Sequence, residues 1–118
     1  MILELFNLNK SFPGIKALSN VNIKFSSGKV HALVGENGAG KSTIVKILGG
    51  IHTFEGKILI NNNEIYFRNP TDSINNNISI IHQEPSLFEN LSVIENIFIT
   101  NLKLKNKVFL NKELMKIK

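Results

Sequence analysis

Gly35-Glu36-Asn37-Gly38-Ala39-Gly40-Lys41-Ser42 is the stretch that decides how the chain folds. Two glycines, four residues between them, then Lys and Ser form the pattern of a phosphate-binding loop. Each residue type has a physical reason to be there. Glycines let the backbone curl so that its N–H groups converge on an anion. Lys41 adds a mobile positive charge suited to β- and γ-phosphate oxygens. Ser42 can offer its hydroxyl to Mg²⁺. A helix starting at this point directs the positive end of its dipole at the same anion.

The flanks agree with that reading. Residues 29–34, Lys-Val-His-Ala-Leu-Val, have the apolar, β-branched character of a buried strand. Downstream, Ile44, Ile47 and Leu48 share one face at helical spacing. Strand, glycine loop and helix follow one another as the loop chemistry requires. The bare pattern alone arises by chance in about half a percent of chains this long.

Length and composition bound the rest. With 118 residues, 42% of them hydrophobic, the chain holds one domain at most and has enough apolar side chains for a core. The absence of Cys excludes a disulfide framework or a thiolate metal site. His31, His52 and His82 have no metal-ligand spacing, and Glu84 beside Gln83 adds none. Met1-Ile2-Leu3-Glu4 does not begin a signal peptide. No run approaches the ~18 apolar residues of a membrane helix, so any membrane link is expected through a partner. The net charge of +5 belongs to residues 103–118, whose six lysines face one acid, Glu113; residues 1–102 balance to zero. That segment reads as a solvated helix face, with a site for an anionic partner as the alternative, and no nucleic-acid partner is expected. The abundant asparagines read as a compositional bias.

Along the chain, residues 3–9 fit an edge strand and 21–25 a half-buried one. Gly49-Gly50 ends the first helix. Residues 57–60 and 64–67 fit a hairpin across Asn61-Asn62-Asn63. Pro70 opens a turn or short helix. Residues 78–81 are a buried-strand candidate. Ser92 and Glu95 form a capping box for a short helix through Phe98, and Asn111 is placed to cap a last helix carrying Leu114, Met115 and Ile117.

Three separated motifs together resemble the ATP-binding cassette family, the ATPase subunits of membrane transporters. Residues 10–18, Lys-Ser-Phe-Pro-Gly-Ile-Lys-Ala-Leu, resemble the segment whose aromatic residue stacks on adenine. Residues 35–43 resemble the phosphate loop. Ile81-His82-Gln83-Glu84, followed by residues 91–97, resembles the glutamine loop. The wording is most similar to that of carbohydrate importers for sugars such as ribose and galactose.

The resemblance implies an α/β fold: a P-loop NTPase of the cassette type, N-terminal half only. That half comprises the antiparallel β subdomain and part of the parallel core sheet. It implies that ATP and Mg²⁺ are the cofactors. Phe12 would stack on the adenine. Gly35, Asn37, Gly38, Ala39, Gly40, Lys41, Ser42 and Thr43 would hold the phosphates. Ser42 and Gln83 would reach Mg²⁺, and Lys41 and Gln83 would serve hydrolysis. The implied partners are transmembrane permease subunits and a second cassette. The implied location is cytoplasmic, on the inner face of the membrane. Glu36 reads as a solvated rim residue.

Residues 1–118 are expected to be a partial domain that ends where the helical subdomain of the family begins. They contain no Leu-Ser-Gly-Gly-Gln-like signature, no apolar run ending in Asp-Glu, and no His beyond Gln83. Hydrolysis by these residues alone is therefore not expected, since phosphoryl transfer needs charge and water positioned around the γ-phosphate. Two other readings stay open: a nucleotide-binding or interaction module without hydrolysis, and a cassette ATPase outside transport.

Overall fold

The computed structural model describes residues 1–81, 87–98, 104–105 and 109–110. The chain forms two units, Met1–Ile80 and Ile81–Lys118.

In the first unit, β1 (Leu3–Phe12) and β2 (Ile15–Phe25) make a long hairpin. Gly14, in the left-handed region at φ 76°, turns the chain between them. Helix α1 (Lys41–Leu48) follows, then β3 (Glu55–Ile60), β4 (Asn63–Ile65) and the short α2 (Pro70–Asn75). The four strands form one antiparallel sheet in the order β2-β1-β3-β4. Register is fixed by apolar partners: Leu5 lies between Ile23 and Ile58, and Leu3 between Phe25 and Ile60.

One face of this sheet takes up Ile44 and Ile47 of α1. They join Leu3, Leu5, Leu8, Leu18, Ile58 and Phe67 in a single buried cluster. The three-residue spacing of Ile44 and Ile47 places both on the helix side turned to the sheet. Helix α2 is closed onto the end of α1 by the buried Ser73, whose hydroxyl donates to the Leu48 carbonyl at 2.6 Å. Its start is capped by the Asn69 side chain, which accepts from the Asp72 N–H at 3.0 Å.

Both strands of the long hairpin run further than their alternating segments suggest, and asparagines carry them there. Asn7 and Asn20 sit in the left-handed region at φ 48° and 52°. The Asn7 N–H donates to the Asn22 side chain, and the Asn20 N–H donates to the Asn9 side chain, both at 2.9 Å. The Asn9 and Asn22 amides donate in turn to the carbonyls of Asn7 and Asn20 at 2.7 and 2.9 Å. The register shifts on either side of Leu8 fall beside this network. Asparagine tolerates φ > 0 and satisfies the backbone groups that a bulge frees. What composition alone presented as bias is therefore a structural device in this sheet. Asn61 and Asn62, also at positive φ, turn β3 into β4.

The parallel part of the expected fold is not a sheet here. Residues 29–34 and 78–81 have no strand partner among the described residues. Val30 and Val34 are 102% and 92% exposed, not buried. Apolar, β-branched sequence suits a strand, but a strand exists only when a neighbour completes its ladder.

In the second unit, α3 (Val93–Ile97) has the expected capping box: the Ser92 N–H donates to the Glu95 carboxylate at 2.9 Å, and Ser92 Oγ accepts from the Glu95 N–H at 3.4 Å. Asn96 accepts from the Phe88 N–H at 2.8 Å and donates to the Leu91 carbonyl at 3.0 Å. Two short strands, β5 (Leu104–Lys105) and β6 (Phe109–Leu110), pair with each other. The expected last helix beyond Asn111 lies outside the described residues.

The asparagine network gives a direct test. Asn22→Ala removes the acceptor of the Asn7 N–H and the donor to the Asn20 carbonyl. It should lower stability by about 1 kcal/mol in urea unfolding. Asn75→Ala, on the exposed side of α2, should stay within about 0.5 kcal/mol of the parent.

Candidate functional site: a phosphate-binding loop and its aromatic neighbour

The loop at 35–40 is shaped by its glycines. Gly38 and Gly40 both occupy the left-handed region, at φ 85° and 86°. They differ in surroundings. Nothing lies within 4 Å of a Cβ built on Gly38, whereas one on Gly40 would stand 2.6 Å from the Ala17 carbonyl oxygen and 2.6 Å from Leu18 Cδ2. Gly40 is thus the point where the loop passes against β2, and Gly38 is turned to open space. The Ala39 N–H donates to the Glu36 carbonyl at 3.2 Å and tightens the intervening turn.

Helix α1 begins at once after this contact. Gly40 is its N-cap, and no side chain caps it. The first intrahelical bond runs from the Ile44 N–H to the Gly40 carbonyl at 3.0 Å. The N–H groups of Lys41, Ser42 and Thr43 therefore have no partner within the helix. Ser42 is exposed, and Lys41 and Thr43 are half-buried. No acidic residue occupies the first turn to offset its positive end.

The Lys41 ammonium folds back over its own loop. Nζ donates to the Gly35 carbonyl and the Glu36 carbonyl, each at 2.6 Å. An ammonium has three N–H donors, so one remains for a further acceptor. The carbonyl of Glu36 takes part in this arrangement, while its carboxylate is at the exposed rim, as expected.

These features fit an anion with several acceptor oxygens. Orphan N–H groups, an uncompensated helix start and a partly engaged ammonium converge on one short loop. The exposed Ser42 hydroxyl supplies an oxygen donor of the kind Mg²⁺ accepts. Among the described residues, no cluster of His, Asp and Glu could hold a metal by itself.

Phe12 ends β1, opposite Ile15 of β2. Gly40 packs against Ala17 and Leu18, just beyond that pair, so the hairpin brings the Phe12 end toward the loop. The Phe12 ring is half-buried and meets His52 at 5.2 Å between centroids and 72° between planes. Lys10 Nζ lies over it, 5.2 Å from its centroid. The sequence marked Phe12 but neither neighbour. Lys10 shares a strand face with Phe12 by its spacing of two, a signal that could have revealed it. His52 carries no such signal, since its place depends on how the chain leaves α1. Gln83, with His82 and Glu84, lies outside the described residues. His31 is occupied locally: its Nε2 accepts from the Ser26 N–H at 3.0 Å, and its ring meets Phe25 edge-on at 5.4 Å.

The fold and loop define an α/β protein with a nucleotide-type phosphate loop at the start of its first helix. Residues 18–117 match the profile of the ABC transporter family, and the chain belongs to that family. It is 52% identical over 101 residues to the xylose import ATP-binding protein XylG of Thermoanaerobacter pseudethanolicus, covering 83% of this chain and 20% of that protein. It is 50% identical over 99 residues to the ribose import ATP-binding protein RbsA 1 of Agrobacterium fabrum, covering 83% of this chain and 19% of that one. The chain thus spans about a fifth of the length of the curated relatives it matches. The crystal structure of a nucleotide-free ATP-binding cassette from an ABC transporter superposes with a TM-score of 0.77 at 31% identity, covering 86% of this chain and 40% of that one. The fold is accordingly that of the ABC ATPase cassettes, of which the chain carries the antiparallel sheet, the phosphate loop and α1.

The two loop glycines should respond differently to alanine. Gly38→Ala meets only the left-handed backbone cost, about 1–2 kcal/mol. Gly40→Ala adds a clash with the Ala17 carbonyl, and its loss should be larger by at least about 1 kcal/mol. Urea unfolding of both variants measures this; equal losses would contradict the close contact at Gly40.

Proposed function

We propose that the chain is the N-terminal, nucleotide-binding part of the ATP-binding subunit of a sugar-importing ABC transporter. The observation that carries this reading is the loop itself: left-handed Gly38 and Gly40, an uncapped α1, and Lys41 held over Gly35 and Glu36. The import proteins for xylose and ribose at 52% and 50% identity support the sugar-import assignment.

Each residue has a defined task in this reading. The backbone N–H groups of residues 38–43 bind the phosphate oxygens of ATP, with Gly35, Asn37 and Ala39 shaping the turn. Lys41 gives its remaining N–H to the β- and γ-phosphates and keeps the loop drawn in with its other two. Thr43 donates to an α-phosphate oxygen. Ser42 and Gln83 would hold Mg²⁺, which would supply positive charge against the phosphates. Phe12 offers its ring to the adenine. Gln83 orients the attacking water. In the complete protein, hydrolysis couples to sugar uptake through permease subunits and a second cassette. The protein then works on the cytoplasmic face of the membrane. Among the described residues, no helix is long and apolar enough to cross it.

The same reading assigns residues 1–118 to one partial cassette domain and accounts for residues 29–34 and 78–81. In this reading both segments would take strand positions of the parallel core sheet once neighbouring strands complete their ladders.

Lys41→Ala tests the assignment. Removing the ammonium should weaken equilibrium binding of a fluorescent ATP analogue with Mg²⁺ at least about tenfold. Circular dichroism should show the sheet and α1 retained. Equal affinity in parent and variant would refute the role of the loop.

A further inference from the structure

The surroundings of Phe12 extend this picture. The chain leaves α1 through Gly49 and Gly50 and stays bound to the helix: the N–H groups of Ile51 and His52 both donate to the Lys46 carbonyl, at 2.9 and 3.4 Å. This holds His52 at the end of β1, where its ring meets Phe12 at 5.2 Å in an edge geometry. Thr53 adds a second tie. Its hydroxyl accepts from Lys10 Nζ at 3.1 Å, and the same ammonium lies over the Phe12 ring at 5.2 Å. His52 and Lys10, which both meet the ring, are therefore anchored through residues 51–53. The ring itself stays partly exposed, so these contacts orient it without burying it.

A stacking platform works only when its plane is fixed. A phenylalanine at the end of a hairpin has two free side-chain torsions, and fixing them when a base arrives lowers affinity. An edge-on aromatic partner removes much of that freedom beforehand. The anchor also has a particular origin: Lys46 belongs to the helix whose first residue is Lys41 of the phosphate loop. One helix thus positions the phosphate site at its start and the brace of the aromatic ring at its end.

From this arrangement we infer that His52 is a positioning residue for the nucleobase, acting through Phe12, with Lys10 and Thr53 as a secondary tie. The inference rests on Phe12 being the base platform. Its consequence is that His52 contributes to recognition of the base and not of the phosphates.

The experiment measures binding of two ligands, Mg-ATP and inorganic tripolyphosphate, to the chain and to its His52→Ala, His52→Phe, Phe12→Ala and double His52→Ala/Phe12→Ala variants. His52→Ala should weaken ATP about threefold to tenfold and leave tripolyphosphate unchanged. His52→Phe, which keeps an aromatic edge, should recover most of the ATP affinity. In the Phe12→Ala background, His52→Ala should cause no further loss. If Phe12→Ala weakens ATP but His52→Ala does not, the brace is refuted while Phe12 keeps its role. If His52→Ala weakens tripolyphosphate equally, His52 is a general structural residue and the inference fails. If Phe12→Ala leaves ATP affinity unchanged, the platform reading itself fails, and the brace with it.

Discussion

The close passage of Gly40 over the backbone of β2 is the constraint on which the rest of the first unit depends. With a Cβ excluded by the Ala17 carbonyl, and with φ at 86°, only glycine fits there without strain. That contact sets where α1 begins. From that start, Ile44 and Ile47 fall into the cluster with Leu5, Leu8 and Ile58, and Lys41 falls where it can reach back to Gly35 and Glu36. The far end of α1 is tied by Ser73 and by the N–H groups of Ile51 and His52. The phosphate loop is therefore an extension of the core: burial of two isoleucines holds the N–H groups of 41–43 in position.

This division of labour explains why the site has no side-chain cap. An Asp or Asn at the N-cap would occupy one of the first-turn N–H groups and so compete with an outside anion. Glycine at position 40 leaves them free and lets the loop approach β2. With glycine as the N-cap the helix forgoes only about a few tenths of a kcal/mol of capping stability, and the packing of Ile44 and Ile47 against the sheet offsets it.

Much of this was legible in the sequence, for reasons that differ by element. The loop was readable because its chemistry demands particular residues at a fixed spacing. The Ser92–Glu95 box and the hairpin across 61–63 were readable because their signals are local. The asparagine bulges were not, because Asn7 and Asn20 acquire meaning only when paired across strands with Asn22 and Asn9. Residues 29–34 show the opposite failure. Their composition fits a buried strand, but no pattern within one segment states which neighbour will pair with it. His52 was invisible for the same reason: its contact with Phe12 is set by the exit of the chain from α1.

The central claim is that the open N–H groups at the start of α1 bind the phosphates of a nucleotide. Hydrogen exchange at the amides of 38–43, followed with and without excess Mg-ATP, tests it most directly. The account predicts that Mg-ATP slows exchange there by at least about tenfold in the parent and not in Lys41→Ala. Unchanged exchange at these amides in the parent, under conditions where ATP is shown to bind, would place the nucleotide elsewhere and contradict the account.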